Sequence, residues 1–311
     1  MKKRFFAILL VTFLFLAGCS SNKSDNKGDS TPKETITAEP TATPEATESA
    51  TQEPEATESA TQEPEPTATV SVENTVVDGD KILPLTENKT GKVQIQTVSA
   101  NSTYHYTSYI ITSSEGETVV VDPTIMPSKE LVDLNPAAIV CTHGHPDHVD
   151  SDFTESYDCK KILFKKDDIT TKDFHIYTIL SSHNGDTIGE SGNVIVVFEV
   201  DGLRIAHMGD VGQTKLTDEQ LKELGKIDIA FMQFDNGYSS MSISNEKGFQ
   251  LIEQLNPTII IPTHYPESAL PVFEEKYGKI SEFNNALSIS KEDLPENKLS
   301  VYRILNYHKY F

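Results

Sequence analysis

The chain contains no tryptophan, only 3 cysteines in 311 residues, and far fewer basic than acidic side chains, 26 Lys and Arg against 47 Asp and Glu. So few cysteines exclude the disulfide framework that staples small secreted domains. Cys19 stands near the N-terminus, which leaves Cys141 and Cys159 as two buried thiols or one bridge. The formal charge is −21, and the acidic excess continues beyond residue 93. Such a surface repels polyanions, which argues against nucleic acid as a partner and against tight binding to anionic lipid. No apolar run reaches the ~20 residues needed to span a bilayer. The longest, "FFAILLVTFLFLA", covers residues 5–17.

That run follows Lys2, Lys3 and Arg4, and the combination reads as a signal peptide. It ends in "LAGC", residues 16–19, which resembles the lipobox of bacterial lipoproteins. The resemblance implies cleavage before Cys19, a lipid on its thiol, and an extracytoplasmic protein anchored to the cell membrane of a bacterium. Residues 20–92 are rich in Thr, Glu, Ala and Pro, and "EATESATQEP" occurs twice, at 45–54 and 55–64. With few large apolar side chains, the tract cannot offset the entropy of ordering, so it reads as a disordered stalk. Its repeat has no hydrophobic face to stack and is not a solenoid unit.

From Val93 the pattern changes, and residues 93–311 read as one domain. Strands are expected at 118–122, 137–142, 161–165, 193–200, 203–208, 228–232 and 258–262, all short, rich in β-branched residues and bounded by turn formers. Asp201-Gly202 between two of them predicts a hairpin. Helices are expected over 214–224 and 244–255, the second with Ser244 as N-cap. Strands alternating with helices give a mixed α/β class with sheets covered by helices.

Three of the chain's 9 histidines fall in "HGHPDH", residues 143–148, directly after the expected strand 137–142. Imidazoles crowded into one loop repel each other when protonated and lack partners when neutral. A metal ion resolves both difficulties, because it takes neutral imidazole nitrogen and ionised carboxylate. One loop cannot close such a site. His183 in "SSHNG", Asp210 in "HMGD" and His264 in "IPTHY" each stand where a strand meets a loop, a usual place for active-site groups.

In this order Asp122, His143/His145/Asp147/His148, His183, Asp210 and His264 resemble the metallo-β-lactamase superfamily over roughly residues 93–311. The resemblance implies an αββα four-layer sandwich with the metals at one edge of the packed sheets. Within the superfamily, "DGLRIAHMGDVGQTKLTDEQLKELGKIDIAF" and "LNPTIIIPTHY" are similar to the branch of the ascorbate-phosphate lactonase and the N-acylphosphatidylethanolamine phospholipase, and "YHYTSYII" is similar to its opening strand. The segment "MQFDNGYSSMS", 232–242, departs from that branch, where a proline- and glycine-rich turn is usual. On this reading it shapes the substrate pocket, with Asp235 and Tyr238 as contacts.

By position in the motif, His143, His145 and His183 hold one divalent ion; Asp147, His148 and His264 hold the second; Asp210 bridges them. Asp147 and Asp210 are the catalytic carboxylates. A metal-bound hydroxide would then attack an ester, lactone, amide or phosphodiester bond in a small-molecule or cell-surface substrate. Asp122 either orients a ligating histidine from behind or forms a turn before Pro123. His105 either faces the site from the first hairpin or is a satisfied structural histidine. His207 reads as structural, and Cys141, on a strand, as a core thiol. Imidazole with carboxylate suits zinc best, with manganese and iron also accepted. The competing reading is a non-catalytic surface lipoprotein that binds a metal or another ligand. An intact bridging aspartate favours the enzyme.

Overall fold

The runs 118–122 and 193–200 are apolar at almost every position rather than at alternate ones, which suits strands buried on both faces. The computed structural model describes residues 88–97, 107–126, 129, 133–189, 192–284, 286–296 and 298–305. All belong to the second of the two units into which the chain divides, Val72–Phe311. The expected signal peptide, Cys19, the expected stalk as far as residue 87, and His105 lie outside the described residues. Among the described residues no helix is long and apolar enough to cross a membrane.

In chain order the strands begin with β1 (Val93–Thr97), β2 (Tyr109–Thr112), β3 (Thr118–Val121) and β4 (Ala138–Cys141). Helix α1 (Ser151–Ser156) leads to β5 (Lys160–Leu163), β6 (Asp168–Thr170), β7 (His175–Ser181), β8 (Asn193–Val200) and β9 (Leu203–His207). Then come α2 (Asp218–Leu224), β10 (Ile229–Gln233), α3 (Lys247–Leu255), β11 (Ile259–Thr263) and α4 (Leu270–Tyr277). The last strands are β12 (Ser281–Phe283), β13 (Leu287–Ile289) and β14 (Ser300–Ile304). One sheet has the order β13-β1-β2-β3-β4-β5, the other β12-β14-β11-β10-β9-β8-β7-β6.

Alternation along each strand explains the continuous apolar runs. Val119, Val121 and Val140 of the first sheet meet Val194, Val196, Phe198 and Phe231 of the second in the central layer. Their neighbours Val120, Ile139 and Cys141 point outward onto Phe153 of α1. On the other side Ile195, Val197, Ala230 and Met232 pack under Leu224, Phe249, Ile252 and Phe273. Helix, sheet, sheet, helix is thus the four-layer sandwich expected. Cys141 and Cys159 are both free thiols.

The β8–β9 hairpin turns through Asp201 (φ 48°) and Gly202 (φ 77°), the paired positive φ that Asp-Gly accommodates. Three boundaries differ from expectation. The helix expected from 214 starts at Asp218, because Thr217 and Gln220 form a reciprocal capping box there. Ser244 is not the N-cap of α3: residues 243–245 form a separate 3-10 turn capped by Ser242, and α3 follows Glu246 with no side-chain cap. Residues 88–92, assigned to the stalk on composition, are seated on the domain. The Asn88 side chain donates to the Ser113 carbonyl at 2.8 Å, and Lys92 pairs with Asp293 at 2.9 Å.

Strand direction positions the site. β3 and β4 run parallel, as do β9, β10 and β11. β7 points the same way as β9, since each is antiparallel to β8.

Candidate metal centre

Every predicted ligand leaves the C-terminal end of one of these parallel strands. The loop 142–150 follows β4, His183 follows β7, Asp210 follows β9 and His264 follows β11. The first loop is tied at both ends. The His148 N–H donates to the His145 carbonyl at 2.9 Å, and Asp150 caps α1 by accepting from the Phe153 N–H at 3.0 Å. Gly209 makes the turn into Asp210 at φ +55°, where a Cβ would lie 2.3 Å from Asn193 Oδ1 and 2.7 Å from Thr142 Cβ, so only glycine fits. Asn193 then fixes Asp210 by accepting its N–H at 3.0 Å. Asp122 (φ 48°) and His264 (φ 41°) sit in the left-handed region, which costs about 1–3 kcal/mol each and persists only where the surroundings over-determine the backbone. For His264 those surroundings include the N–H groups of Phe234 and Asp235, both donating to its carbonyl.

The fold brings all seven residues together. One ligand atom from each of His143, His145, His183 and Asp210 lies within 4.8 Å of the others, and the same holds for Asp147, His148, Asp210 and His264. Asp210 belongs to both sets, one oxygen to each. Its Oδ2 is 3.5 Å from His143 Nε2 and 3.3 Å from His183 Nε2. Its Oδ1 is 3.2 Å from both His148 Nε2 and His264 Nε2. Asp147 Oδ2 stands 3.7 Å from these last two nitrogens.

These residues fit a metal centre on two observations. His143 Nε2, His183 Nε2 and Asp210 Oδ1 are buried without a hydrogen-bond partner, although buried polar atoms are nearly always satisfied. His148 Nε2 and His264 Nε2 approach to 3.0 Å, a contact in which two N–H groups cannot both point at each other. Nitrogen lone pairs and carboxylate oxygens converging on two points are the donor set of zinc and its neighbours.

Behind the ligands lies an anchoring layer. Asp122 Oδ2 meets His148 Nδ1 at 2.7 Å, while Asp122 also accepts the Thr142 N–H at 2.7 Å and the Thr142 hydroxyl at 2.8 Å. Of its two readings, the orienting one describes this contact: it turns His148 Nε2 towards the centre. Burial opposes ionisation of Asp122, yet His148 outweighs it and holds the carboxyl below its usual range. Burial would likewise lower His148, but Asp210 and Asp122 together raise it well above the ordinary histidine value. Asp210 is held well below the carboxylate range against burial, chiefly by His148. Burial and the neighbouring His148 push His143 down to about 3.

His207 points its Nδ1 at the Gly209 N–H, 3.1 Å away, and stacks on Phe231; it makes the turn rather than the cage. Asp235 is exposed and meets the site through its backbone N–H on His264. Tyr238 is 81% exposed, the sole exposed large hydrophobic side chain among the described residues, with its ring 6.3 Å from that of His145. Sequence reasoning missed Thr142, Asn193 and Asn236. The last donates from Nδ2 to Asp210 Oδ2 at 2.7 Å. Their one signal is adjacency: each is a small polar residue flanking a strand end.

A four-layer sandwich whose two imidazole–carboxylate cages share one aspartate is the architecture of a metal-handling protein. The family model for the beta-lactamase superfamily domain matches residues 102–264, more than half of the chain, and the chain belongs to this superfamily. It is 25% identical over 202 residues to a UPF0173 metal-dependent hydrolase of Geobacillus thermodenitrificans (strain NG80-2), a stretch covering 52% of this chain and 84% of that protein. A second relative, from Geobacillus sp. (strain WCH70), is 24% identical over the same length with the same coverage. Among solved structures, a metallo-beta-lactamase superfamily protein of Thermotoga maritima has a TM-score of 0.49 at 21% identity, covering 68% of this chain and 99% of that one. The metallo-beta-lactamase fold protein YhfI of Bacillus subtilis has a TM-score of 0.43 at 12% identity, covering 70% and 98%.

Proposed function

We propose that this chain is a metal-dependent hydrolase with a two-ion centre, zinc being the best match, that cleaves an ester, lactone, amide or phosphodiester bond. The observation that supports this most directly is the division of Asp210, whose two oxygens face two separate ligand sets at 3.2–3.5 Å. Bound there, divalent ions lower the pKa of water towards neutrality and stabilise negative charge that develops on the substrate. The protein's own groups do the rest. His143, His145 and His183 form one cage, Asp147, His148 and His264 the other, and Asp210 spans both. Asp122 keeps His148 in the orientation that exposes Nε2. Asp147, half-buried beside His148 and His264, would serve as the second catalytic carboxylate. Among the described residues neither thiol is an activated nucleophile: burial raises both Cys141 and Cys159 above the usual thiol value, with the Asp122 charge adding to it at Cys141.

The exposed Tyr238 ring beside His145 offers a face for an apolar part of the substrate. The acidic surface disfavours polyanions, so small or cell-surface substrates of low negative charge fit better than nucleic acid. Resemblance to the ascorbate-phosphate lactonase branch puts lactones and phosphodiesters first among the bonds to try. The lipobox-like "LAGC" supports an extracytoplasmic enzyme tethered through Cys19. Two assays test these readings. Metal analysis of the full chain should find two ions, with turnover on a panel of lactones, phosphodiesters and β-lactams that disappears in Asp210→Ala. Less than one ion and no turnover would favour the non-catalytic binder. Labelled fatty acid should enter the wild-type chain and not Cys19→Ser.

A further inference from the structure

The turn after β10 reaches back to the shared carboxylate. Asn236 is 8% exposed, and its amide is used at both ends. Its Oδ1 accepts the Tyr238 N–H at 3.0 Å, capping the 3-10 turn Gly237–Ser239. Its Nδ2 donates to Asp210 Oδ2 at 2.7 Å. This pairing also settles which end of the amide is which, because the reversed side chain would set its oxygen against a carboxylate and its NH₂ against an N–H. The backbone of Asn236 is pinned as well, exchanging both hydrogen bonds with Met241 at 2.9 Å. Further support comes from Lys247, whose Nζ donates to the Ser239 carbonyl at 3.1 Å and the Gly212 carbonyl at 2.9 Å, tying this turn to the Asp210 loop. Ser239 adds a 3.3 Å bond from its hydroxyl to the Asp210 carbonyl.

Asp210 Oδ1 has no such partner and is a buried orphan. The two oxygens are therefore held differently: Oδ2 accepts from a rigid amide donor, while Oδ1 faces only the imidazoles of His148 and His264 at 3.2 Å. A carboxylate attached only through its Cβ can rotate, and rotation would move both oxygens off the two cages at once. We propose that Asn236 is a positioning residue that locks the Asp210 carboxylate in its spanning orientation, so that both ligand sets are complete at the same time. This rests on the two-ion reading above. The amide touches neither substrate nor the reacting atoms; it acts through Asp210, as an outer partner orients a metal ligand.

The test is zinc retention by the full-length protein against graded chelator, with cobalt(II) absorption as a second readout. Asn236→Ser keeps a hydroxyl that can cap the Tyr238 N–H but removes the donor to Asp210. Asn236→Gly removes both, and glycine is nearly as good as asparagine at an N-cap. Wild type should hold two zinc ions. Both variants should release zinc from both sets at roughly 10- to 100-fold lower chelator strength, the range seen when an outer partner of a metal ligand is removed. Their cobalt spectra should shift, because the bridging oxygen geometry changes. A purely structural cap predicts otherwise: Asn236→Ser retaining both ions at wild-type chelator strength, with an unchanged cobalt spectrum, would overturn the proposal. Should Asn236→Ser melt far below wild type, Asn236→Gly decides by the same measurement on its folded fraction. Wild type binding fewer than two ions would bring down the two-ion reading and this inference with it; two ions in wild type, released by both variants at the same chelator strength as wild type, would bring down the inference alone.

Discussion

The two cages are made of different material and behave differently. The first has three imidazoles and draws its only negative charge from Asp210 Oδ2. Burial keeps His143 neutral, with its pKa pushed down to about 3. The second has two carboxylates, Asp147 and Asp210, and a histidine that a third, Asp122, backs from behind. Asp210 and Asp122 overcome burial and raise the pKa of His148 well above the ordinary histidine value. A metal ion held there would compete with a proton on His148, whereas His143, pushed down to about 3, would offer no such competition. One shared aspartate thus joins a histidine-rich ligand set to one with two carboxylates.

The largest test of this contrast removes what the cages share. Asp210→Ala should abolish binding of both ions and all turnover, measured by metal content and by hydrolysis of the substrate panel. Retention of one tightly held ion would show that the cages do not depend on each other. Next, Asp122→Asn should weaken zinc in the second cage by roughly 10- to 100-fold and leave the first unaffected. Chelator titrations in His183→Ala and His264→Ala backgrounds, which spare the second and first cage respectively, separate the two effects. Equal loss in both backgrounds would make Asp122 a general fold residue.

Acidity gives a graded test. The pKa of His148 is raised, so its proton persists to higher pH than in an ordinary histidine, and a cation must displace it. Zinc affinity of the second cage should fall about tenfold per pH unit below that pKa. His143, neutral above about pH 3, contributes no such loss to the first cage. Zinc titrations between pH 5 and 8 in the same two backgrounds (roughly the range over which histidines titrate) read this slope directly. The smallest effect belongs to Tyr238→Ala. At 81% exposure it should change stability by no more than about 0.5 kcal/mol while raising KM for substrates with an apolar group. Unchanged KM across the panel would remove Tyr238 from the substrate face.

Much of this was legible without coordinates, because its physical cause is local. A β-branched run predicts a strand, and a histidine or aspartate just past it is held by that strand's end. His143, His183, Asp210 and His264 follow this rule. The strands are continuous apolar runs because both faces are covered, which predicts sheets covered by helices; the four-layer sandwich is what the family resemblance implies. Helix starts were less legible: the helix expected from 214 begins only after Thr217, and Ser244 gives way to a 3-10 turn capped by Ser242. Asp122 reads first as an orienting carboxylate, with a turn former before Pro123 as the alternative, since the local sequence suits both. Asn236 was passed over for its neighbours Asp235 and Tyr238, because asparagine in a turn is unremarkable until its amide is seen against Asp210.

By itself, then, the order of residues determined which elements form, which side chains stand at their ends, and what chemistry that set can hold, since hydrophobic periodicity and donor type are properties of neighbours along the chain. Only the tertiary structure decided how Asp210 divides its oxygens, why His148 and His143 take opposite protonation, and which amide holds the carboxylate still. Those depend on burial and on distances between segments far apart in the chain, where a few ångströms and the loss of water set the energy of every charge.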